Sequence, residues 1–129
     1  MKYLILLLIL ISGCSSIEGP FLVENVVDGD TLDVHERVRL SGINTPERGE
    51  CYYKEATERL EELVLGKEVF LERDRSNRGN YGRLLRYIYV DDILVNKVLV
   101  EEGYAKVYDK YKDDTKRYKE LKLSESIAK

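Results

Sequence analysis

Short apolar runs alternate with polar positions after the first twenty residues. Between residues 20 and 43 these runs are interrupted by polar breaks at residues 28–30 and 35–36. Alternation with a period of two is typical of strands that bury one face, and both breaks suit turns. The pattern therefore predicts a β-meander of three adjacent strands.

Apolar residues recur at intervals of three and four over residues 52–65, with charged residues between them. This spacing predicts an amphipathic helix that ends at Gly66. Residues 67–73 and 86–90 alternate again and predict two paired strands. The polar, glycine-containing stretch at residues 74–82 is typical of an exposed loop between them.

Two further helices are predicted near the end of the chain. Residues 91–92 form a turn before a helix over about residues 94–102, which Gly103 ends. Asp114 and Thr115 can cap the free N–H groups of a last, charged helix. A chain of 129 residues has room for one domain. The expected fold is mainly β, a small closed or nearly closed barrel with three α-helices.

The first fourteen residues have the layout of a secretion signal. Lys2 precedes an apolar run over residues 3–11, which is too short for the ~20 helical residues that cross a membrane. The small residues that end at Cys14 resemble the lipobox of secreted lipoproteins, which implies a lipid anchor on Cys14 facing outward from the cell membrane. The predicted organisation is a signal peptide at residues 1–13, a lipid-anchored tether at 14–19 and a folded domain at 20–129.

Charge excludes one class of nucleic-acid-binding protein. Loss of Lys2 with the signal leaves 20 basic against 24 acidic residues. This balance argues against a nonspecific binder, whose affinity comes from a large cationic face. An enzyme with a cleft needs positive charge only near the phosphate, and five arginines lie close together in the sequence. They are Arg73, Arg75, Arg78, Arg83 and Arg86.

Cysteine and histidine offer no catalytic pair. With Cys14 lipidated, Cys51 has no partner within the chain, so a disulfide framework is not expected unless Cys51 pairs between chains. Cys51 is interpreted as a partly buried apolar residue, because no histidine is placed to activate its thiol. His35 is the only histidine and is expected in a solvated turn beside Glu36.

Two polar clusters at strand ends carry chemistry suited to phosphodiester cleavage. The first cluster is residues 28–31, and the second consists of Arg39 together with residues 44–47. Cleaving a P–O bond requires a carboxylate to activate water, a divalent cation and guanidinium groups to hold the phosphate. Each cluster alone also has a structural explanation, since Asp-Gly suits a type I′ turn and Thr-Pro-Glu can begin a helix. Oxygen ligands such as Asp30 suit calcium rather than zinc.

Together and in this order, the motifs closely resemble the staphylococcal nuclease family from about Pro20 to the last residue. The matching segments are residues 28–31, 38–40, 44–47, 81–83, 95–96, 103–107 and 124–129. The resemblance implies a five-stranded OB-fold barrel with three α-helices and dependence on one calcium ion. It also implies hydrolysis of DNA and RNA to 3′-phosphate products. A monomer is the default expectation.

The resemblance assigns roles to individual residues. Arg39 and Arg83 would clamp the phosphate, and Glu47 would orient or deprotonate the attacking water. The calcium ligands would be Asp30, Asn44 and the carbonyl of Thr45. Asp28 would lie behind these ligands and support them. The predicted nucleotide pocket is lined by Tyr81, Tyr108 and Tyr111.

Three positions depart from the family pattern. Asn44 replaces a second aspartate, which removes one negative charge and should weaken calcium binding. Asp109 occupies a position where the family has a pocket tyrosine, although Tyr108 lies beside it. Residues 79–80 lack polar side chains that the family places near the phosphate.

Two alternatives to an enzyme remain. One is a noncatalytic module of the same fold that binds nucleic acid or protein, which the loss of charge at Asn44 and the acidic composition favour. The other is a structural or adhesive surface lipoprotein. Retention of Arg39, Glu47 and Arg83 together favours catalysis over both.

Overall fold

The computed structural model describes residues 16–128. The predicted signal peptide and the predicted lipid site at Cys14 therefore lie outside the described residues. The strands are β1 (Ile17–Leu22), β2 (Asn25–Asp28), β3 (Thr31–Asp33), β4 (Arg37–Leu40), β5 (Ile43–Asn44), β6 (Glu68–Arg78), β7 (Leu84–Val90), β8 (Ile93–Leu94) and β9 (Lys106–Val107). The helices are α1 (Tyr53–Val64), α2 (Val95–Glu101) and α3 (Tyr118–Ile127), with a 3-10 turn at Lys112–Asp114. Over the described range no helix has both the length and the apolar character needed to span a membrane.

The main sheet curls back on itself and forms the barrel. Its strand order is β1-β6-β7-β4-β3-β2, in which β2, β3 and β4 are the predicted meander and β4 runs parallel to β7. The first and last strands of this order are consecutive in the chain. Between them, Val23 donates to the Lys67 carbonyl (3.0 Å) and Glu24 donates to the Asp33 carbonyl (2.9 Å). The two edge strands are therefore joined by a short link that bonds to Lys67, just before β6, on one side and to β3 on the other, which closes the sheet and confirms the OB-fold barrel with three helices.

Helix α1 packs on the barrel through one apolar face. Ala56, Leu60 and Val64 recur every four residues and are buried. The helix gives way at Gly66, whose φ of +73° lies in the left-handed region that glycine adopts without strain. The predicted helix over residues 52–65 is confirmed to within a residue at each end. The fully buried core includes Leu32, Leu40, Ile43, Leu60, Tyr87, Ile88, Leu99 and Leu121.

The predicted loop over residues 74–82 is wrong in its first half, because β6 continues to Arg78. The polar side chains of this extension have partners on other segments. Asp74 is buried and accepts a hydrogen bond from the Ser41 hydroxyl (2.7 Å), and Arg75 donates to the Asp113 carbonyl (2.6 Å). Because these contacts satisfy the polar groups, the stretch can remain a strand.

Both ends of the domain also differ from the sequence expectation. Strand β1 begins at Ile17, three residues before Pro20, where the folded domain was expected to begin. The last helix begins at Tyr118 rather than near Asp114 and Thr115. The Thr115 hydroxyl donates to the Tyr111 carbonyl (2.8 Å) and Asp114 accepts from Ser76, so neither side chain caps α3.

Asn96, in the first turn of α2, links β7 to the residue that follows β4. Its side chain is fully buried. The Oδ1 atom accepts the Ile88 N–H (3.0 Å), and Nδ2 donates to the Ser41 carbonyl (2.9 Å). The amide therefore fixes the segment after β4 against β7. Strand β4 carries Arg39, and Arg83 directly precedes β7.

Replacement of Asn96 with alanine is expected to lower the free energy of unfolding by about 2–6 kcal/mol, because two buried backbone groups lose their partners at ~1–3 kcal/mol each. Urea denaturation of both proteins measures the difference. Asn25→Ala is the control, since Asn25 is exposed and its side-chain amide donates to Asp33 on the surface (3.2 Å). Equal stability of the Asn96 and Asn25 variants would show that the buried amide is not a structural link.

Candidate active site

One groove with a volume of about 1020 Å³ lies at an end of the barrel. Its walls come from the β2–β3 turn, the segment after β5, the β6–β7 hairpin and the segment after β9. Every residue that the sequence assigns to the site lines this groove. They are Asp28, Asp30, Arg39, Asn44, Thr45, Glu47, Tyr81, Arg83, Tyr108 and Tyr111. The fold thus brings together residues that are far apart in the sequence.

The β2–β3 turn packs closely against the segment after β5. A Cβ atom on Gly29 would lie 2.6 Å from Thr45 Oγ1 and 2.9 Å from Ala56 Cβ. Glycine is therefore required by close approach. The expected type I′ turn is wrong, because that turn needs a positive φ and Gly29 does not have one. The close contact holds Asp28 and Asp30 beside Thr45.

Asp30 is oriented by its surroundings. Its Oδ2 atom accepts the Thr45 N–H (2.9 Å), and Oδ1 accepts the Thr31 hydroxyl (3.2 Å). The Asp30 N–H in turn donates to Asp28 Oδ1 (3.2 Å). Burial, together with the negative charge of Asp30, raises the pKa of Asp28. Two carboxylates thus share one partly enclosed corner of the groove.

Arg39 places its guanidinium in the same corner. Only 12% of its side chain is exposed, and Nη2 lies 3.7 Å from Asp30 Oδ2. Nη1 donates to the Leu40 carbonyl (2.6 Å) and Nη2 donates to Asn44 Oδ1. Burial lowers the pKa of Arg39, partly offset by Asp30 and reinforced by the nearby charge of Arg83. The arginine remains charged at neutral pH, and its direction is set before any ligand binds.

Arg83 approaches from the β6–β7 hairpin. Its Nη1 atom lies 3.4 Å from the Thr31 hydroxyl, which also donates to Asp30. Its guanidinium carbon lies 5.8 Å from the centre of the Tyr81 ring. Since Arg39 contacts Asp30 and Arg83 contacts the next residue, the two guanidinium groups flank the same turn.

Glu47 contributes an unengaged carboxylate. Its backbone N–H donates to Glu50 Oε1 (2.6 Å), which fixes the chain at this point. The side chain is exposed, and within residues 16–128 its carboxylate has no hydrogen bond or ion pair. This carboxylate is therefore free to accept a proton from a molecule in the groove.

Tyrosines line the outer parts of the groove. Tyr81 is 87% exposed. Tyr108 and Tyr111 meet edge to face with ring centres 5.7 Å apart. Asp109 does not line the groove, and its carboxylate accepts the Tyr118 hydroxyl (2.6 Å). Tyr108, not Asp109, therefore faces the space where a nucleotide pocket was expected.

Comparison with known proteins agrees with this geometry. Residues 37–129 match the family described as "Staphylococcal nuclease homologue". The chain belongs to this family. The "Uncharacterized endonuclease" of Escherichia coli O157:H7 is 37% identical over 125 residues, covering 88% of this chain and 77% of the relative. The resemblance seen in the sequence motifs is confirmed.

For two further relatives, the match covers a smaller fraction of the relative's own length. "Endonuclease YncB" of Bacillus subtilis (strain 168) is 36% identical over 119 residues, which cover 83% of this chain and 56% of the relative. "Thermonuclease" of Staphylococcus intermedius is 36% identical over 97 residues, covering 67% of this chain and 58% of the relative. The similarity to all three relatives extends over two thirds or more of this chain.

The arginine cluster of this staphylococcal nuclease homologue does not act as one patch. Of the five clustered arginines, only Arg78 and Arg83 line the groove. Arg86 is buried and donates to the Asn77 carbonyl (3.1 Å) and Asn77 Oδ1 (2.9 Å), so it anchors the hairpin. The sequence expectation that the cluster gathers at the phosphate is therefore wrong for most of its members.

The groove also contains residues that the sequence did not single out. Arg48, Tyr53 and Lys110 line it, and the position of Arg48 directly after Glu47 was the available signal. Cys51 lies on the surface as a free thiol, so its expected partial burial is wrong. The turn that leads from Glu47 to α1 is exposed from residue 47 to residue 52.

Carboxylates alone do not form a metal cluster in this family member. Across residues 16–128 no group of three or more His, Cys, Asp and Glu side chains is placed to hold an ion. In the corner described above, the carboxylates are Asp28 and Asp30. Asn44 and Thr45 offer neutral oxygens beside them.

Proposed function

We propose that this staphylococcal nuclease homologue is a calcium-dependent phosphodiesterase that hydrolyses DNA and RNA to 3′-phosphate products. The observation that carries the proposal is that Arg39, Glu47 and Arg83 line one groove next to Asp30. Relatives named endonuclease and thermonuclease support hydrolysis of nucleic acid. Their names bear out the expectation of a nuclease-type hydrolase.

The residues in the corner fit a hard cation. Asp30, Asn44 and the Thr45 carbonyl offer oxygen atoms only, which is the ligand chemistry of calcium. The raised pKa of Asp28, caused by burial and the charge of Asp30, shows that negative charge is crowded there and that a cation would be favoured. Bound calcium would neutralise the negative charge that develops on the phosphate.

The two arginines are suited to hold the phosphate. A guanidinium presents parallel N–H groups that match two phosphate oxygens. Arg39 is held by the Leu40 carbonyl, so this donor needs little reorganisation, and Arg83 lies beside the same turn, 3.4 Å from the Thr31 hydroxyl. Donors fixed in advance stabilise the transition state more than mobile ones, because no free energy is spent on orienting them during the reaction.

Glu47 is suited to act as the general base. Its carboxylate takes a proton from water, the water oxygen forms a bond to phosphorus, and the bond from phosphorus to the 5′-oxygen breaks. The 5′-oxygen takes a proton from solvent water as it leaves, and the phosphate remains on the 3′-oxygen. Tyr81, Tyr108 and Tyr111 bind the nucleotide by stacking or by hydrogen bonds to phosphate, which tolerates any base and both sugars.

Release of acid-soluble nucleotides from DNA and RNA tests this proposal against the noncatalytic alternative. The parent is expected to release nucleotides in calcium and to stop when a chelator is added. Binding of nucleic acid without release in any of calcium, magnesium or manganese would support a noncatalytic module instead. Neither binding nor release would support a structural lipoprotein.

Replacement of Asn44 with aspartate is expected to lower the calcium concentration for half-maximal activity by about tenfold, because ligand charge tunes calcium affinity. Titration of activity against calcium measures the change. Asn80→Asp adds the same charge in the same groove, away from the proposed ligands. An equal shift in both variants would mean that the effect is general attraction of cations and not ligation by residue 44.

The proposed location is the outer side of the cell membrane, with a lipid anchor on Cys14. This proposal is supported only by the apolar run and the small residues that precede Cys14. A lipid anchor would keep the groove near the cell surface, where extracellular nucleic acid is the accessible substrate. Incorporation of labelled fatty acid by the parent, and its loss in Cys14→Ser, tests the anchor.

A further inference from the structure

We propose that Arg48 and Tyr53 form a second nucleotide-binding subsite in this groove. This inference rests on the proposed function. The subsite would bind a nucleotide that neighbours the one at the scissile phosphate. It lies on the wall of the groove that also carries Glu47.

The chain between Glu47 and Tyr53 is a compact turn held by one residue. The Glu50 carboxylate accepts the Glu47 N–H (2.6 Å), and the Glu50 carbonyl accepts the Tyr53 N–H (3.3 Å). Arg48 and Tyr53 therefore have a defined position relative to the proposed general base. The tyrosines Tyr81 and Tyr111 belong to other segments, the β6–β7 hairpin and the turn after β9.

Arg48 and Tyr53 together present a cation and an aromatic ring to the groove. The Arg48 guanidinium carbon lies 5.8 Å from the centre of the Tyr53 ring. Arg48 is exposed, and in the part of the chain that the structure describes it has no hydrogen bond or ion pair. By contrast, the charge of Arg59, on the nearby helix α1, is already engaged in an ion pair with Glu102 (2.6 Å). The charge of Arg48 is thus available for a phosphate, while the ring or the guanidinium plane can stack on a base.

The groove is large for a single small ligand. Its volume of about 1020 Å³ lies at the upper end of the range of about 300–1,000 Å³ that is typical of ligand pockets. Tyr81, Tyr108 and Tyr111 are proposed to bind one nucleotide, and they lie on other segments of the groove. The wall with Arg48 and Tyr53 remains available for the next one along the strand.

Cleavage of oligothymidylates of two to eight nucleotides tests the inference. In Arg48→Gln and in Tyr53→Leu, kcat/KM for the octamer is expected to fall about tenfold, since stacking on each base contributes that much, while kcat/KM for the dinucleotide falls far less. Tyr53→Phe retains the ring and should retain the preference for long substrates. Tyr52→Leu and Lys54→Gln are the matched controls, because both residues are exposed and lie outside the groove.

Binding provides a readout that does not depend on cleavage. In a Glu47→Gln background, Arg48→Gln is expected to lower the slope of log Kd against log salt for a labelled octamer by about 0.7, the contribution of one phosphate contact to a single strand. If the parent cleaves but both variants keep its ratio of octamer to dinucleotide kcat/KM, the subsite is disproved and the proposed function stands. If the parent cleaves nothing, the proposed function fails, and the salt slope alone decides whether the subsite exists.

Discussion

Replacement of Glu47 with glutamine is expected to lower kcat for phosphodiester hydrolysis by about 10²–10⁴-fold, the usual contribution of a general base. Glutamine has the same shape but cannot take the proton of the attacking water. Asp30 is not a ready substitute, because its carboxylate is held by the Thr45 N–H and the Thr31 hydroxyl. Initial rates on single-stranded DNA in calcium measure the effect.

The Glu47 variant should keep the stability of the parent, since the carboxylate it replaces is exposed and has no partner within the described residues. Thermal melts check this point. Glu55→Gln is the matched control, because Glu55 is an exposed glutamate on α1 outside the groove. Cleavage by Glu47→Gln at the rate of the Glu55 variant would exclude Glu47 as the base.

Replacement of Arg83 with alanine is expected to lower kcat by about 10²–10³-fold, the loss seen when one fixed donor to a developing charge is removed. The Arg83 side chain makes a 3.4 Å contact to the Thr31 hydroxyl and lies over the exposed Tyr81 ring, and losing these two weak contacts should leave the fold intact. Rates on DNA and on RNA should fall alike, because phosphate contacts carry no information on base or sugar.

The Arg83→Lys variant tests whether the positive charge alone is sufficient or whether the planar guanidinium is needed. Arg83→Lys should recover only a small part of the activity, because an ammonium group cannot bind two phosphate oxygens in parallel. Arg73→Ala is the control, since Arg73 is exposed in the same arginine-rich stretch but does not line the groove. Full activity in Arg83→Ala, or the same loss in Arg73→Ala, would contradict a specific phosphate contact.

The positions of most elements could be predicted from periodicity alone. Helix α1 and the meander of β2, β3 and β4 have clear patterns, because each buries one face in a fixed register. The barrel itself could not be derived in this way. Its closure depends on β1 and β2 pairing with different strands and on the parallel contact of β4 with β7, which are long-range pairings with no local signal.

The site was predicted from ordered motifs, not from composition. Arg39, Glu47 and Arg83 line one groove as the family resemblance implied. Their convergence confirms no catalytic role by itself, so the roles stay predictions. Arg48 and Tyr53 were missed because an arginine and a tyrosine next to a turn carry no distinguishing pattern. The extension of β6 was missed because its polar side chains find partners, such as Ser41 for Asp74, that only the fold supplies.

Net acidity did not predict the character of the groove. The surplus of negative charge lies partly on α1, where Glu55, Glu58, Glu61 and Glu62 line a separate depression with Tyr104. The groove instead gathers four arginines, Arg39, Arg48, Arg78 and Arg83, with Arg39 closest to the Asp28 and Asp30 pair. Local placement of charge, and not the total, is what a cleft enzyme for an anionic substrate requires.

The most direct test is mass spectrometry of the products formed from a defined DNA oligonucleotide by the purified parent protein. In calcium, fragments that end in a 3′-phosphate and begin with a 5′-hydroxyl are expected, and none should form once a chelator is present. An oligonucleotide that stays intact in calcium, or fragments that carry a 5′-phosphate, would contradict the account.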